Sequence, residues 1–329
     1  MVKKAKIVGT GSYLPRRVLS NKDLEKIVET SDEWITTRTG MKERRLAASN
    51  EFTSDMGYEA AKQAMKGTGI HPSEIDLILF STLTPDYMCP STACLIQRRL
   101  GAKNAAAMDI QAACAGYLYG LSVAKAYVES FYYKKVLVVA SEKLSSIVNY
   151  RDRNTCVLFG DGASACVVGY GECGYTIDNL FLGADGSQAE LLVLPAGGSR
   201  NPASFKTVKK GLHFLQMEGR EMFKHAVRKM EQAVRHCLCT TGITEKEVSW
   251  IVPHQANIRI IESLARRLKI SQERVYVTIH KYGNTSASSV GIALDELIKE
   301  RNVKQGEYVV LAAFGAGLTW GAATLICEK

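Results

Sequence analysis

Short apolar runs alternate along this chain with longer stretches in which apolar residues return every three or four positions. The runs "LILFS" from Leu77, "AMDI" from Ala107, "VLVVA" from Val136, "SWIVP" from Ser249 and "VVLAA" from Val309 have the length and content of strands buried on both faces. The stretches "CAGYLYGLSVAKAYVES" from Cys114 and "NTSASSVGIALDELIKE" from Asn284 read as helices. So do the shorter segments from Tyr58 and Glu231. A further strand is expected in "VYVTIHKYG" from Val275, opposite "AAAMDIQ" in the first part of the chain. Strands alternating with helices imply right-handed crossovers and a mostly parallel sheet covered on both faces, an α/β architecture.

The pattern occurs twice. "YEAAKQAMKGTGIHPSEIDLILFS" begins at Tyr58 and "EQAVRHCLCTTGITEKEVSWIVPH" at Glu231, 173 positions on. "VLVVA" from Val136 and "VVLAA" from Val309 keep that same offset. Two similar halves are therefore expected, residues 1–174 and 175–329. The junction holds "GYGECG", Gly169 to Gly174, which matches a dinucleotide-binding pattern in spelling only. A strand-like segment follows where a phosphate-binding turn would open a helix, so it reads as a turn.

Composition narrows this picture. With 329 residues, 46% of them hydrophobic, the chain has material for a large core. "YVVLAAFGAGLTWGAATLI" from Tyr308 approaches membrane-span length, yet its central glycines read better as a turn between two buried strands. Nine cysteines without scaffold spacing, and no secretory leader before the first glycines, suit a reducing cytoplasm. The net charge of +9 suits an acidic partner without choosing among nucleic acid, acidic protein and phosphorylated ligand. Nucleic-acid binding would call for basic and aromatic residues interleaved on one face, and these charges are spread along the chain.

Ligands of open α/β sheets bind beyond the carboxyl ends of the strands. Cys114 follows "AMDI", His254 follows "SWIVP" and Asn284 follows "VTIHKYG", each just before a helix. Alone, each has a plain structural reading: a small buried hydrophobe, a loop histidine, a turn or cap residue. Together they make a nucleophile and two groups able to hold an enolate oxygen. A helix N-terminus beneath Cys114 is expected to favour thiolate, and Ala113, Ala115 and Gly116 leave room for a substrate.

Seven segments in order, "GTGSYLP", "TSDEWITTRTG", "ACAG", "FGDGA", "VPHQAN", "YGNTSA" and "FGAGLTWG", span Gly9 to Gly321. In these the chain resembles the β-ketoacyl-acyl-carrier-protein synthase III family of condensing enzymes, within the thiolase superfamily. The resemblance implies a layered αβαβα thiolase-like fold. It also implies the start of type II fatty-acid synthesis: an acyl-CoA primer, expected to be acetyl-CoA, acylates Cys114 and is condensed with malonyl-acyl carrier protein as CO2 leaves. His254 and Asn284 match the pair that stabilises the enolate. The backbone N–H groups of Cys114 and Gly315 match an oxyanion hole, and Phe314 an aromatic beside it. No metal and no permanently bound cofactor is implied, acyl-CoA being substrate.

The same resemblance assigns Trp34, Arg38 and Arg153 to the nucleotide of CoA and Asn257 to its pantetheine arm. Arg259, Lys224, Arg220 and Gln255 fall on the carrier-protein side, and an acidic carrier suits the positive charge. Cys89 falls where relatives reach across a homodimer interface to limit the partner's acyl pocket, so a small residue there suggests longer or branched primers. The sequence departs from the family at Ala316 and Leu318, which bears on pocket shape. A thiolase would need a second catalytic cysteine, and an elongating synthase a second histidine in place of Asn284. A polyketide starter enzyme shares all three residues and stays open.

Overall fold

The computed structural model describes residues 4–328. Nine strands form one mixed sheet: β1 (Lys6–Tyr13), β2 (Leu77–Ser81), β3 (Ala106–Ile110), β4 (Lys135–Glu142), β5 (Gly162–Gly169), β6 (Gly174–Ala184), β7 (Val248–Pro253), β8 (Tyr308–Gly315) and β9 (Thr319–Glu328). Their spatial order is β7-β8-β9-β6-β1-β5-β4-β2-β3. Outward from the β6–β1 contact the order matches over four strands on each side, β3 being an additional edge strand without a counterpart. Parallel pairing repeats too: Leu77 lies opposite Val136 in one half and Trp250 opposite Val309 in the other, and Leu79–Val138 matches Val252–Leu311.

Side chains on these strands divide by parity, as a pleated sheet covered on both faces requires. Leu77, Leu79, Val136, Val138, Val309 and Leu311 point into one buried cluster, shared with helices α4 (Gly116–Glu129) and α7 (Ser288–Glu300). Ile78, Phe80, Leu137 and Val139 point the other way, against α2 (Thr53–Lys66) and α3 (Thr92–Leu100). Val310, Ala312 and Phe314 likewise face α5 (Gly219–Thr241) and α6 (Ile258–Leu268). The result is an αβαβα layering, with α4 and α7 as the central layer.

Each helix has a local cause. In α6, Ile260, Ile261, Leu264, Ala265 and Leu268 make one apolar stripe, with Asn257 capping the N-terminus. In α1 (Asp32–Thr39), Ser31 caps and Gly40 ends the helix in the left-handed region. The glycine-rich stretch of 169–174 is the turn between β5 and β6, and "FGAG" belongs to the β8–β9 hairpin, paired from Tyr308–Ile326 to Gly315–Thr319. Among the described residues no helix is long and apolar enough to cross a membrane.

The expected strand at Val275 does not form. Only Val275 bridges to Ile251, and a short helical turn, Ile279–Tyr282, follows. The buried Gln255 carboxamide accepts the N–H groups of Thr278 and Ile279, at 2.8 and 3.1 Å, which satisfies the backbone without a strand ladder.

Candidate active site

The central layer positions the chemistry. Helix α4 is entered through a short turn, Ala113–Ala115, with Ala113 held at φ +43°, and this turn sets Cys114 against the end of β8. The approach is so close that a Cβ on Gly315 would lie 2.6 Å from the Cys114 nitrogen. Across the layer, Gly283 at φ +65° delivers Asn284 to the start of α7. The Asn284 backbone is pinned on both sides, its N–H donating to Leu158 O (2.8 Å) and its C=O accepting from Gly160 N–H (3.0 Å). Beneath it, Asp161 accepts from Ala47 and Ser145, so "FGDGA" serves as a brace for the asparagine loop.

The orientation of each polar side chain is fixed by its partners. Asn284 Oδ1 accepts the Ser286 N–H at 2.8 Å, which leaves the Nδ2 hydrogens to face the cavity. His254 Nδ1 lies 2.6 Å from the Ser289 hydroxyl, and that hydroxyl oxygen already accepts the Gln255 N–H at 3.4 Å. We assign the Ser289 hydrogen to Nδ1, which places the imidazole's own proton on Nε2. Burial holds this imidazole down at about 3, so it is neutral across the physiological range.

Burial acts on Cys114 in the opposite sense, pushing its thiol up to about 12, while the Ser286 hydroxyl at 3.5 Å pulls the other way. The expectation of a resting thiolate is thereby corrected. The amides at the start of α4 do favour the anion, but loss of water around a sulfur only 6% exposed outweighs them and the group rests as thiol.

Cys114, His254, Asn284, Phe314 and Gly315 line one cavity of about 830 Å³. Trp34, Arg38, Arg220, Lys224, Asn257 and Arg259 line the same cavity. Cys114, His254 and Asn284 are buried whereas Arg38, Arg220, Lys224 and Arg259 are exposed, so the reactive groups form the floor and the cations the mouth. Arg153 reaches this mouth from outside the lining: its guanidinium stacks on Trp34 at 4.7 Å, with that of Arg38 on the same indole at 4.9 Å. Asn257 spends its oxygen capping α6 and its amide on Arg38 O.

Two expectations change, those for Gln255 and for the pair Ala316 and Leu318. Gln255 is 1% exposed and both polar atoms of its side chain bond inward, to Pro253, Tyr276, Thr278 and Ile279, so it is no carrier contact. Cys89 is exposed and outside the cavity of its own chain. Neither Ala316 nor Leu318 lines the cavity, Leu318 being packed in the core with Phe314 and Trp320. Sequence reasoning missed Ser289, Ser286 and Glu142. The one available signal was Glu142, a carboxylate at the end of the strand that holds the apolar run "VLVVA".

Comparisons with known proteins show the family. The family model described as 3-oxoacyl-[acyl-carrier-protein (ACP)] synthase III matches residues 108–186, and that of the same synthase's C-terminal part matches 238–327. The chain is 59% identical to a beta-ketoacyl-[acyl-carrier-protein] synthase III of Chlamydia pneumoniae, over 98% of this chain and 97% of that one. Against the namesake from Caldanaerobacter subterraneus the identity is 53%, over 99% and 98%. The crystal structure of 3-oxoacyl-[acyl-carrier-protein] synthase III from Aquifex aeolicus superposes with a TM-score of 0.90 at 50% identity, over 98% of this chain and 99% of that one.

Proposed function

The chain belongs to the 3-oxoacyl-[acyl-carrier-protein] synthase III family of thiolase-fold acyltransferases in fatty-acid synthesis, and from that premise we propose how its residues divide the reaction. Its substrates are acyl-CoA and the malonyl-loaded carrier protein. Cys114 is the nucleophile. Its sulfur forms a bond to the acyl carbon and CoA departs, the oxyanion being held by the N–H groups of Cys114 and Gly315. In the second half-reaction the malonyl C–C bond to the carboxylate breaks. The enolate oxygen then accepts hydrogen bonds from His254 Nε2–H and Asn284 Nδ2–H, and the enolate carbon displaces Cys114 to give 3-oxoacyl-carrier and CO2.

One observation carries this reading: a single cavity whose buried floor is Cys114, His254 and Asn284 and whose exposed rim is cationic. A neutral donor pair suits the second step. Two uncharged hydrogen-bond donors stabilise a developing enolate without burying a cation beside the acyl-enzyme beforehand. Phe314 keeps that floor apolar, which disfavours the ionised carboxylate and assists loss of CO2.

At the mouth, we assign Trp34, Arg38 and Arg153 to the CoA nucleotide. An adenine entering this stack takes the place of one guanidinium. Asn257 is assigned to the pantetheine arm, and Arg259, Lys224 and Arg220 to the acidic carrier. We read residues 1–174 and 175–329 as two copies of one unit. A homodimer is proposed on the edge of β3, where Met108 is exposed, and on the neighbouring exposed Tyr87 and Met88. In such a dimer Cys89 would face the partner's cavity.

The test separates the half-reactions. His254→Ala is expected to accept a radiolabelled acyl group on Cys114 yet fail to release CO2 from malonyl-carrier. Equal loss of both activities would refute the division of roles.

A further inference from the structure

Among the described residues three carboxylates are buried to 1% exposure or less, and two have evident structural work. Asp295 ties α7 to β1 through Thr10 and Ser12 and pairs with Lys299 at 2.7 Å. Asp161 braces the asparagine loop. Glu142, at the end of β4, pairs with no cation among the described residues, and its negative charge is felt at the Cys114 thiol.

Its two oxygens are unequally served. Oε2 accepts from Thr84 Oγ1 (2.7 Å), Thr82 Oγ1 (3.1 Å) and Leu83 N–H (3.1 Å), whereas Oε1 has only a longer contact to Leu83 N–H, 3.3 Å. The Ser286 hydroxyl lies near enough to this carboxylate to pull its pKa down, without an ordinary hydrogen bond between them. That same hydroxyl accepts from Cys114 Sγ at 3.5 Å. Ser286 is held at φ +51°, and Ala113, just before the thiol, at φ +43°. Of the four non-glycine residues in the left-handed region among those described, two thus flank this path, which marks a geometry imposed by its surroundings.

We propose that Glu142 is the proton acceptor for the Cys114 thiol during acylation, acting through the Ser286 hydroxyl as relay. The inference rests on Cys114 being the acylated residue. As the sulfur attacks the acyl carbon, its hydrogen moves to Ser286 Oγ and the Ser286 hydrogen moves to Glu142. The S–C bond forms, the bond to the CoA sulfur breaks, and the CoA thiolate takes the proton back along the same path, leaving CoA thiol and an ionised Glu142. Electrostatics favour this route over direct ionisation. The floor holds one negative charge before and after proton transfer, so no second charge is created in a buried site.

Burial raises the Glu142 carboxyl to about 7, with Thr84, Leu83, Thr82 and Ser286 pulling it back down. The other titratable groups nearby do not confuse this range. His254 is neutral above about 3, and Lys143, next in the chain, turns its ammonium to the carbonyls of Ala48 and Glu51. Asp161 is occupied with Ala47 and Ser145. The base form of Glu142 therefore appears as pH rises through about 7.

The experiment is single-turnover acylation by radiolabelled acetyl-CoA from pH 5.5 to 9.5, with CoA affinity measured alongside, on the intact chain and on Glu142→Gln, Glu142→Asp and Ser286→Ala. The intact enzyme should gain rate through about pH 7 and then level off. Glu142→Gln should be slower by about 100-fold near neutrality, the scale of a lost acid–base group. Its rate should climb without levelling, because the thiol itself must then ionise. Ser286→Ala should show the same altered profile, Glu142→Asp should recover part of the rate, and CoA affinity should hold. Variants that keep the levelling near pH 7, whether fast or slow, overturn the relay. Should Glu142→Gln not fold, the profile of Ser286→Ala decides alone. Acyl label absent from Cys114 in the intact enzyme would instead remove the reading beneath the proposal.

Discussion

Gly315→Ala isolates the packing of β8 against the nucleophile turn. The added Cβ would stand 2.6 Å from the Cys114 nitrogen and 3.2 Å from both Cys114 Cα and the Ala115 nitrogen. All three are backbone atoms, so no side chain can swing aside. Ordinary contact begins at 3.4 Å, and the turn must retreat by 3.4 − 2.6, about 0.8 Å. Overpacking of this kind costs about 1–3 kcal/mol of stability, and a displacement near 1 Å at a reacting atom costs about 100-fold in rate. Acylation of Cys114 should fall by about that factor, while circular dichroism reports a folded chain. Gly67→Ala supplies the control, since a Cβ there meets nothing within 4 Å. A folded Gly315→Ala enzyme that acylates at the rate of its parent would refute the claim that this contact fixes the sulfur.

Other outcomes follow from the same geometry. Asn284→Asp keeps an oxygen for the Ser286 N–H but turns a donor into a charge, so condensation should fall by about 100-fold or more with acylation retained; assaying the two half-reactions separately checks this. Ser289→Ala frees Nδ1 and with it the choice of tautomer, so CO2 release should slow by about tenfold or more while acylation holds. Because burial depresses the His254 pKa from its ordinary 6.5 to about 3, CO2 release should show no histidine limb between pH 5 and 8, and one centred near 6.5 would contradict the buried neutral imidazole. By linkage, the stability that this group contributes is full above about 6.5 and is lost as pH falls toward about 3, which thermal melts over that range can follow. Trp34→Ala removes the platform for two guanidiniums and should raise KM for acyl-CoA about fivefold, about 1 kcal/mol, with little change in kcat. If Cys89 leaves the partner's pocket open, turnover should extend to longer or branched acyl-CoA primers; activity with acetyl-CoA alone would reject that role.

The fold was legible where periodicity is enforced by burial on both faces. Leu77 and Trp250 stand one repeat apart in the chain, and each pairs with the strand found one repeat apart, Val136 and Val309. The placement of Cys114 and His254 was legible because each follows a strand and precedes a helix, whereas Asn284 follows the helical turn Ile279–Tyr282 that stands in place of the expected strand. Legibility ended where long-range partners decide. Nothing local distinguishes Ser286 or Ser289 from the other hydroxyls of "NTSASS". Gln255 looked like a rim residue, and only the fold shows its amide holding the segment after Val275. Arg44, in the charged string "KERR", reads as surface yet is wholly buried, its guanidinium donating to Leu19 O, Asn21 Oδ1 and Val157 O. The thiolate expectation failed for a related reason: a helix start is visible in sequence, while the depth of burial opposing it is not.

The account depends on Cys114 receiving the acyl group under a neutral His254 and Asn284. Its most direct test is to incubate the enzyme with radiolabelled acetyl-CoA, quench, digest and map the label, then repeat the incubation with malonyl-carrier added before the quench. Label should appear on the peptide carrying Cys114 and on none with another of the nine cysteines, be absent from Cys114→Ser, and be discharged by malonyl-carrier in the parent enzyme but not in His254→Ala. Label on a different residue, or discharge that proceeds unchanged in His254→Ala, would contradict the account.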